Sequence, residues 1–305
     1  MQISPAFWIG FNAVVLALLV IDLTMLNRKP HAISIRESLA TTLVWIALAV
    51  GFGLWVVEQE GTRKGLEFFT GYLIEYALSM DNIFIFVLIF TSFKVAAEQQ
   101  HRLLFWGVLG AMVMRGAMIG AGAALLLSFE WVIYVFGAYI LYAGWRMLFH
   151  HAEAEVDVEK NRVVRFARRF LPLSAGDHGG RFVAREGGRL KFTLLFLVLV
   201  VVELTDLVFA LDSIPAIFGV TKDPFIVYTS NVCAILGLRS LYFLLAGAVK
   251  RLVYLHTGLA CVLIFIGAKM IGEDFLPIPT ELSLLIVGGI LGVAVVASLV
   301  KSKTS

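Results

Sequence analysis

The chain reads as an all-α polytopic membrane protein of about nine transmembrane helices, with two inverted three-helix repeats. Three observations predict this class. First, the 305 residues are 60% hydrophobic and only 15% charged, with mean hydropathy +0.89. Soluble domains carry about 25% charged and about 45–50% apolar residues, so this chain has too little polar surface for water. Second, apolar runs of about 17–25 residues, enough to cross a bilayer, recur along the whole sequence. Third, two of those runs carry acidic motifs that superpose, placing Glu75 on Asp206, Asp81 on Asp212 and Asn82 on Ser213.

The spans are predicted at 5–25, 39–58, 68–92, 103–127, 130–149, 192–218, 225–248, 253–272 and 281–300, making 1–305 a single transmembrane domain. The first is not read as a cleaved signal peptide, because Met1 to Gly10 has no basic n-region and no small-residue cleavage site follows. Lys and Arg set the orientation. One set of loops holds Arg28, Lys29, Arg36, Lys94, Arg102, nine basic residues from Lys160 to Lys191, Lys250, Arg251, Lys301 and Lys303; the other holds only Arg63, Lys64 and Lys222. The positive-inside rule makes the rich side cytoplasmic, with the N-terminus outside and the C-terminus inside. The net charge of +3 is therefore a topogenic signal, and no nucleic-acid partner is expected.

A repeat is expected downstream of the acidic motifs. Ala111-Met-Val-Met-Arg115 and Ile235-Leu-Gly-Leu-Arg239 each put an arginine inside the next helix, although the match needs a gap of about two turns. The third helices end alike, in Gly144-Trp-Arg146-Met147 and Gly267-Ala-Lys269-Met270. Residues 68–149 and 192–272 thus form two three-helix units, and the second enters from the opposite side because three is odd. Transporters commonly use this plan, with the substrate site near the midplane. Spans 1, 2 and 9 (281–300) are peripheral. The linker 150–191 contains a basic amphipathic segment, Arg162 to Leu171, suited to the membrane surface. Gly176 to Gly188 reads as flexible loop, and His150, His151, Glu153, Glu155 and Asp157 as a solvated charged tract.

The acids are the chemical content. A charged side chain at the bilayer centre costs about 2.5–3.5 kcal/mol on insertion scales, so intramembrane carboxylates mark a function. Residues seven apart on a helix share a face and residues six apart are about 120° off it. Glu75 and Asn82 thus share a face, as do Asp206 and Ser213, while Asp81 and Asp212 are rotated away. Pro215 is expected to break the second acidic helix and free carbonyls beside Asp212. Glu203 adds a fifth acid one turn before Asp206. Against these five stand Arg115, Arg239 and Lys269, a formal −2 that favours a cation over an oxyanion. Oxygen donors without apposed His or Cys select hard ions such as Mn²⁺, Mg²⁺ or Ca²⁺. The competing reading is that acids and bases pair as buried glue between helices. Asp22 reads as interfacial, Asn12 as bonded to a neighbour, and His256 as lacking an obvious partner. Cys233 and Cys261, the only cysteines, read as small core residues. There is no CxxC, HExxH or phosphate loop, and no enzyme is expected.

The motifs Glu75…Leu78-Ser79-Met80-Asp81-Asn82 and Glu203…Asp206…Phe209-Ala210-Leu211-Asp212-Ser213-Ile214-Pro215-Ala216 are followed by Thr229-Ser230-Asn231, Arg239-Ser240-Leu241-Tyr242 and Gly267-Ala-Lys269. Together, over roughly residues 70–272, they resemble the TerC family, including its Alx-type members, and the wider group of LysE-type three-plus-three-helix exporters. The resemblance implies a bacterial inner-membrane protein of a family named for tellurium-resistance clusters, with several members linked to Mn²⁺ export and to metal supply for secreted enzymes. It implies metal handling by the acidic positions of both motifs; Glu203, opposite Tyr72, has no acidic counterpart. An acidic pocket would repel tellurite.

The reading is a secondary exporter of a divalent cation, Mn²⁺ foremost. Its ligands are Glu75, Asp81, Asp206 and Asp212, supported by Asn82, Ser213 and Glu203, and Arg115, Arg239 and Lys269 balance the empty site. No prosthetic group is expected. Two rivals are a non-transporting accessory that supplies metal to or assists secreted proteins, with secretion machinery as partner, and an intramembrane aspartyl hydrolase. Small-residue faces permit a monomer or a homo-oligomer.

Overall fold

A computed structural model describes residues 5–25, 35–149, 174, 180–186, 188–245 and 253–304. Among the described residues it is helical apart from one short hairpin. The helices are α1 (Pro5–Met25), α2 (Ile35–Glu60), α3 (Thr62–Ser92), α4 (Ala97–Ser128), α5 (Val132–Phe149), α6 (Leu194–Phe218), α7 (Pro224–Leu236), α8 (Leu238–Leu245), α9 (Leu255–Gly272) and α10 (Thr280–Thr304). Among the described residues eight are long and apolar enough to cross a membrane, and α7 with α8, bent by 41° at their break, adds a ninth where the pair crosses as one span. The amphipathic segment 162–171 and the tract 150–157 lie outside the described residues.

The inner helices alternate partners. α3 packs on α7, α4 on α6 and α5 on α9; α2 lies against α3 and α8, and α10 against α9 and α3. α1 joins through aromatic contacts, Phe7 stacking on Trp55 and Trp8 meeting Tyr228. Glycine sets the closest of these approaches. A Cβ on Gly267 would stand 2.7 Å from the backbone N of Leu141, and one on Gly144 would stand 2.9 Å from the Ala260 carbonyl. α5 and α9 therefore meet backbone to backbone, the small-residue packing that membrane helices use where lipid offers no hydrophobic drive. The two glycines that aligned the third helices in sequence are thus contact points of those helices with each other.

Local sequence explains the ends. Asp223 caps α7 by accepting from Phe225 N at 3.0 Å, and Pro224 starts the helix, where its missing N–H costs nothing. Thr193 caps α6 in the same way, at 3.3 Å from Phe196 N. α3 and α4, with 31 and 32 residues, run about 46–48 Å at 1.5 Å per residue, well past a ~30 Å hydrocarbon layer.

Two expectations are corrected. Part of the Gly176–Gly188 stretch is not loop: Val183–Glu186 pairs antiparallel with Arg189–Phe192, and Gly188 takes φ +77° in the turn. Arg102 fixes this hairpin to α4, donating to the Gly180 carbonyl at 3.0 Å and lying 4.7 Å over the Phe182 ring. Nor does Pro215 break its helix. α6 continues to Phe218, so the proline sits in the last turn and only one further turn must be kept. The bend occurs instead at Gly237, whose carbonyl accepts from Leu241 N and from Ser240 Oγ.

Candidate functional site

Arg115 on α4 is the largest fully buried side chain, 1% exposed. Its guanidinium meets the Asp206 carboxylate of α6 side-on, with Nε and Nη2 each donating at 3.0 Å. Nη1 donates to Glu75 Oε1 of α3 and, at 3.4 Å, to Asn231 Oδ1 of α7. Four helices are thus tied at one buried point. A bidentate pair suits the planar fork of arginine, and such a charge is tolerated in the interior only when its partners are in place.

The cluster is nevertheless under-satisfied. Glu75 Oε2, Ser79 Oγ, Ser213 Oγ and Asn231 Nδ2 are buried with no hydrogen-bond partner among the described residues. Ser79 lies one turn below Glu75 on α3, and Ser213 shares the Asp206 face of α6 two turns on. Two carboxylates face one guanidinium, a formal −1. Native interiors leave few polar groups unpaired, so these buried atoms on the acidic helices and on α7 require an account.

The other acids stand apart. Asp81 lies 3.5 Å from His256 Nδ1, and the Nε2–H of His256 donates to the Met147 carbonyl at 3.1 Å. Asp212 accepts from the Tyr139 hydroxyl at 2.8 Å. Glu203 rests against Gly110, where an added Cβ would fall 2.1 Å from Oε1, and its Oε2 has no partner among the described residues. Asn82 is buried on α3. Among the described residues, no three His, Cys, Asp or Glu side chains converge as a ready metal cage.

Of the bases assigned to this centre, only Arg115 reaches it. Arg239 donates to Asp22 Oδ2 at 2.9 Å, tying α8 to the end of α1, where Asp22 is buried against protein. Lys269 lines a recess of about 1360 Å³ at the end carrying the α2–α3 turn, together with Arg63, Lys64, Glu67 and Asp223. In that recess Glu67 is 5% exposed and accepts from Arg63 Nε at 3.2 Å and Thr221 Oγ1 at 2.6 Å.

The sequence profile of the integral membrane protein TerC family matches residues 60–305, which include every member of the buried cluster. The chain belongs to the TerC family. It is 48% identical over 300 residues to an uncharacterised membrane protein of Myxococcus xanthus, covering 98% of this chain and 94% of that one. It is 45% identical over 297 residues to a protein of Escherichia coli (strain K12) named Alx and described as a candidate membrane-bound redox modulator, covering 94% and 92%. A membrane protein of Rickettsia felis is 38% identical over 294 residues, covering 96% and 97%. No solved structure matches the chain.

Within this TerC chain, sequence reasoning missed three functional-site partners. Asn231 sat in a quoted motif without a role, and its signal was an amide inside an apolar span. Tyr139 gave no polar signal beyond its hydroxyl. His256 was noted without a partner, because nothing in a linear chain shows that α9 starts beside the middle of α3.

Proposed function

We propose that this TerC-family protein is a secondary transporter that exports a divalent cation, Mn²⁺ foremost, by alternating access between residues 68–149 and 192–272. One observation carries the reading: a fully buried arginine is held between Glu75 of the first unit and Asp206 of the second, in a cluster that leaves a Glu75 carboxylate oxygen unpaired. Arg115 occupies the place of a cargo cation, and an arriving ion competes with it for both acids. Ser213 and Asn82 supply neutral oxygens. Asp81 and Asp212, each with a single side-chain partner, join as the units rotate, and Glu203 lies one turn from Asp206.

The reciprocal packing of α3 on α7, α4 on α6 and α5 on α9 supports two units related by inversion. In the orientation given by Lys and Arg, in a bacterial inner membrane, the recess around Lys269 opens outward and the Asp81–His256 pair lies toward the cytoplasm. The ion is cargo, not a resident cofactor.

The test is divalent-cation flux in proteoliposomes, comparing Mn²⁺, Mg²⁺, Ca²⁺ and Zn²⁺ for the native protein, Asp206→Asn and Asp81→Asn. The expected result is Mn²⁺ flux that both substitutions abolish. Absence of flux for every cation, in folded and inserted protein, would replace the carrier with a membrane accessory that hands metal to secreted proteins. The description of Alx raises a redox alternative, for which Cys233 and Cys261 are the two thiols of this chain.

A further inference from the structure

His256 is fixed by a bond that leaves its other nitrogen aimed at a carboxylate. A backbone carbonyl only accepts, so the contact with Met147 O places a proton on Nε2. In the neutral ring Nδ1 then carries a lone pair, and it faces Asp81 Oδ1 at 3.5 Å. A nitrogen and a carboxylate oxygen set in this way are bridged either by a proton on Nδ1 or by a metal ion, and the spectrum described below tells the two apart. Donors about 2.1–2.3 Å from one ion and 3.5 Å apart subtend roughly 100–115° at it, which is open to neighbouring positions in a transition-metal shell. Metal-binding histidines typically donate their second N–H to a carbonyl or carboxylate, which holds ring and tautomer, and Met147 O supplies that support.

The three groups come from α3, α5 and α9, and neither of the two side chains is sealed in the interior: Asp81 is 35% exposed and His256 31%. Tyr139 and Asp212 form a separate pair, and the Glu75–Arg115–Asp206 cluster is fully buried elsewhere. The premise that only oxygen donors are present, drawn from the sequence, is therefore corrected at this place: an imidazole is apposed to one of the acids.

We propose that Asp81 and His256 form a mixed nitrogen–oxygen ligand pair that selects first-row transition cations over Mg²⁺ and Ca²⁺. Imidazole is a good ligand for transition ions and a poor one for hard alkaline-earth ions. The pair offers only two protein donors, so the ion keeps most of its water and is held loosely enough to move on. That the bound ion is cargo rests on the transport reading; that it binds here does not.

The experiment is pulsed electron paramagnetic resonance of Mn²⁺ bound to the purified full-length protein, with calorimetric titration of Mn²⁺ and Mg²⁺, on the native protein and His256→Gln. The expected result is nitrogen modulation from a ligated imidazole in the native protein, absent in the variant, and a Mn²⁺-over-Mg²⁺ preference that falls at least about 10-fold. Bound Mn²⁺ without nitrogen modulation in the native protein overturns the proposal and leaves the pair as an imidazolium–carboxylate contact. No Mn²⁺ binding overturns it as well. The spectrum of the native protein decides the matter even if the variant does not fold. Nitrogen modulation without liposome flux supports the ligand pair and removes the transport reading; flux without modulation does the reverse.

Discussion

Arg115 and Asp206 form a side-on ion pair with two 3.0 Å hydrogen bonds in the interior of the helix bundle. The same guanidinium holds Glu75, so its loss strands two buried carboxylates at once. Arg115→Met is expected to destabilise the fold by about 3–5 kcal/mol, the cost of breaking a buried pair by removing one partner. Adding Glu75→Gln and Asp206→Asn to that variant should recover much of the loss. Thermal unfolding in detergent, followed by tryptophan fluorescence, measures both. Equal stability of the native protein and the single variant would mean that the acids are neutral without their arginine.

Gly110 leaves room for the Glu203 carboxyl. A Cβ there would sit 2.1 Å from Oε1, so Gly110→Ala must displace the acid. We expect a loss of about 1–3 kcal/mol from overpacking, relieved by pairing the substitution with Glu203→Ala but not with the isosteric Glu203→Gln. Comparing the melting of the four proteins separates a steric role of the glycine from any other.

The α5–α9 seam should be less forgiving. At Gly267 the obstacles to a side chain are the Leu141 backbone N at 2.7 Å and the Gly137 carbonyl at 2.8 Å, neither of which can swing aside as a side chain does. Gly267→Ala is expected to cost about 1–3 kcal/mol, and Gly267→Leu to prevent the two helices from docking. Cysteine cross-linking across α5 and α9 in membranes reads the docking directly.

Thiol chemistry provides a clear division between the transport and redox readings. Cys233 and Cys261 lie on different helices and are both free. Cys233 lines an apolar recess of about 830 Å³ among Phe11, Trp45, Phe52 and Trp55, a place that disfavours a thiolate. The double variant Cys233→Ser, Cys261→Ser is expected to keep native cation flux and native growth under thiol stress. Loss of the second alone would establish a redox role.

How much of this was legible in the sequence depends on the range of the interaction involved. Span positions follow from composition along the chain, and the predicted 5–25 and 192–218 differ little from the observed Pro5–Met25 and Leu194–Phe218. Helical periodicity also placed Glu75 with Asn82 and Asp206 with Ser213. What periodicity does not carry is which helix stands opposite. Arg239 occupies the place equivalent to Arg115 in the second motif, yet it turns to Asp22 on α1, an element without a counterpart in the other unit. Pro215 takes the hydrogen bond from the Leu211 carbonyl, as a proline must, but the helix runs on through it to Phe218, whereas Gly237 bends its span without a proline. The hairpin at 183–192 had a local signal after all: a Gly-Gly dipeptide stands in the sequence between Glu186 and Arg189, which pair across the strands, and Gly-Gly is a favoured hairpin-turn sequence.

The lodged guanidinium also bears on how a carrier resets. On the transport reading proposed above, the protein would have to cross back unloaded after release, and two bare carboxylates moving through a low-dielectric interior would carry a penalty of several kcal/mol each. With Arg115 seated, the unloaded centre holds two negative groups and one positive, 2 − 1 = 1 net negative charge, and the step back is electrostatically mild. On that reading the arginine would govern turnover as well as compete with the arriving ion. Ion exchange across the membrane, which needs only loaded states, would persist in a folded Arg115 variant, while net efflux, which needs the unloaded return, would stop.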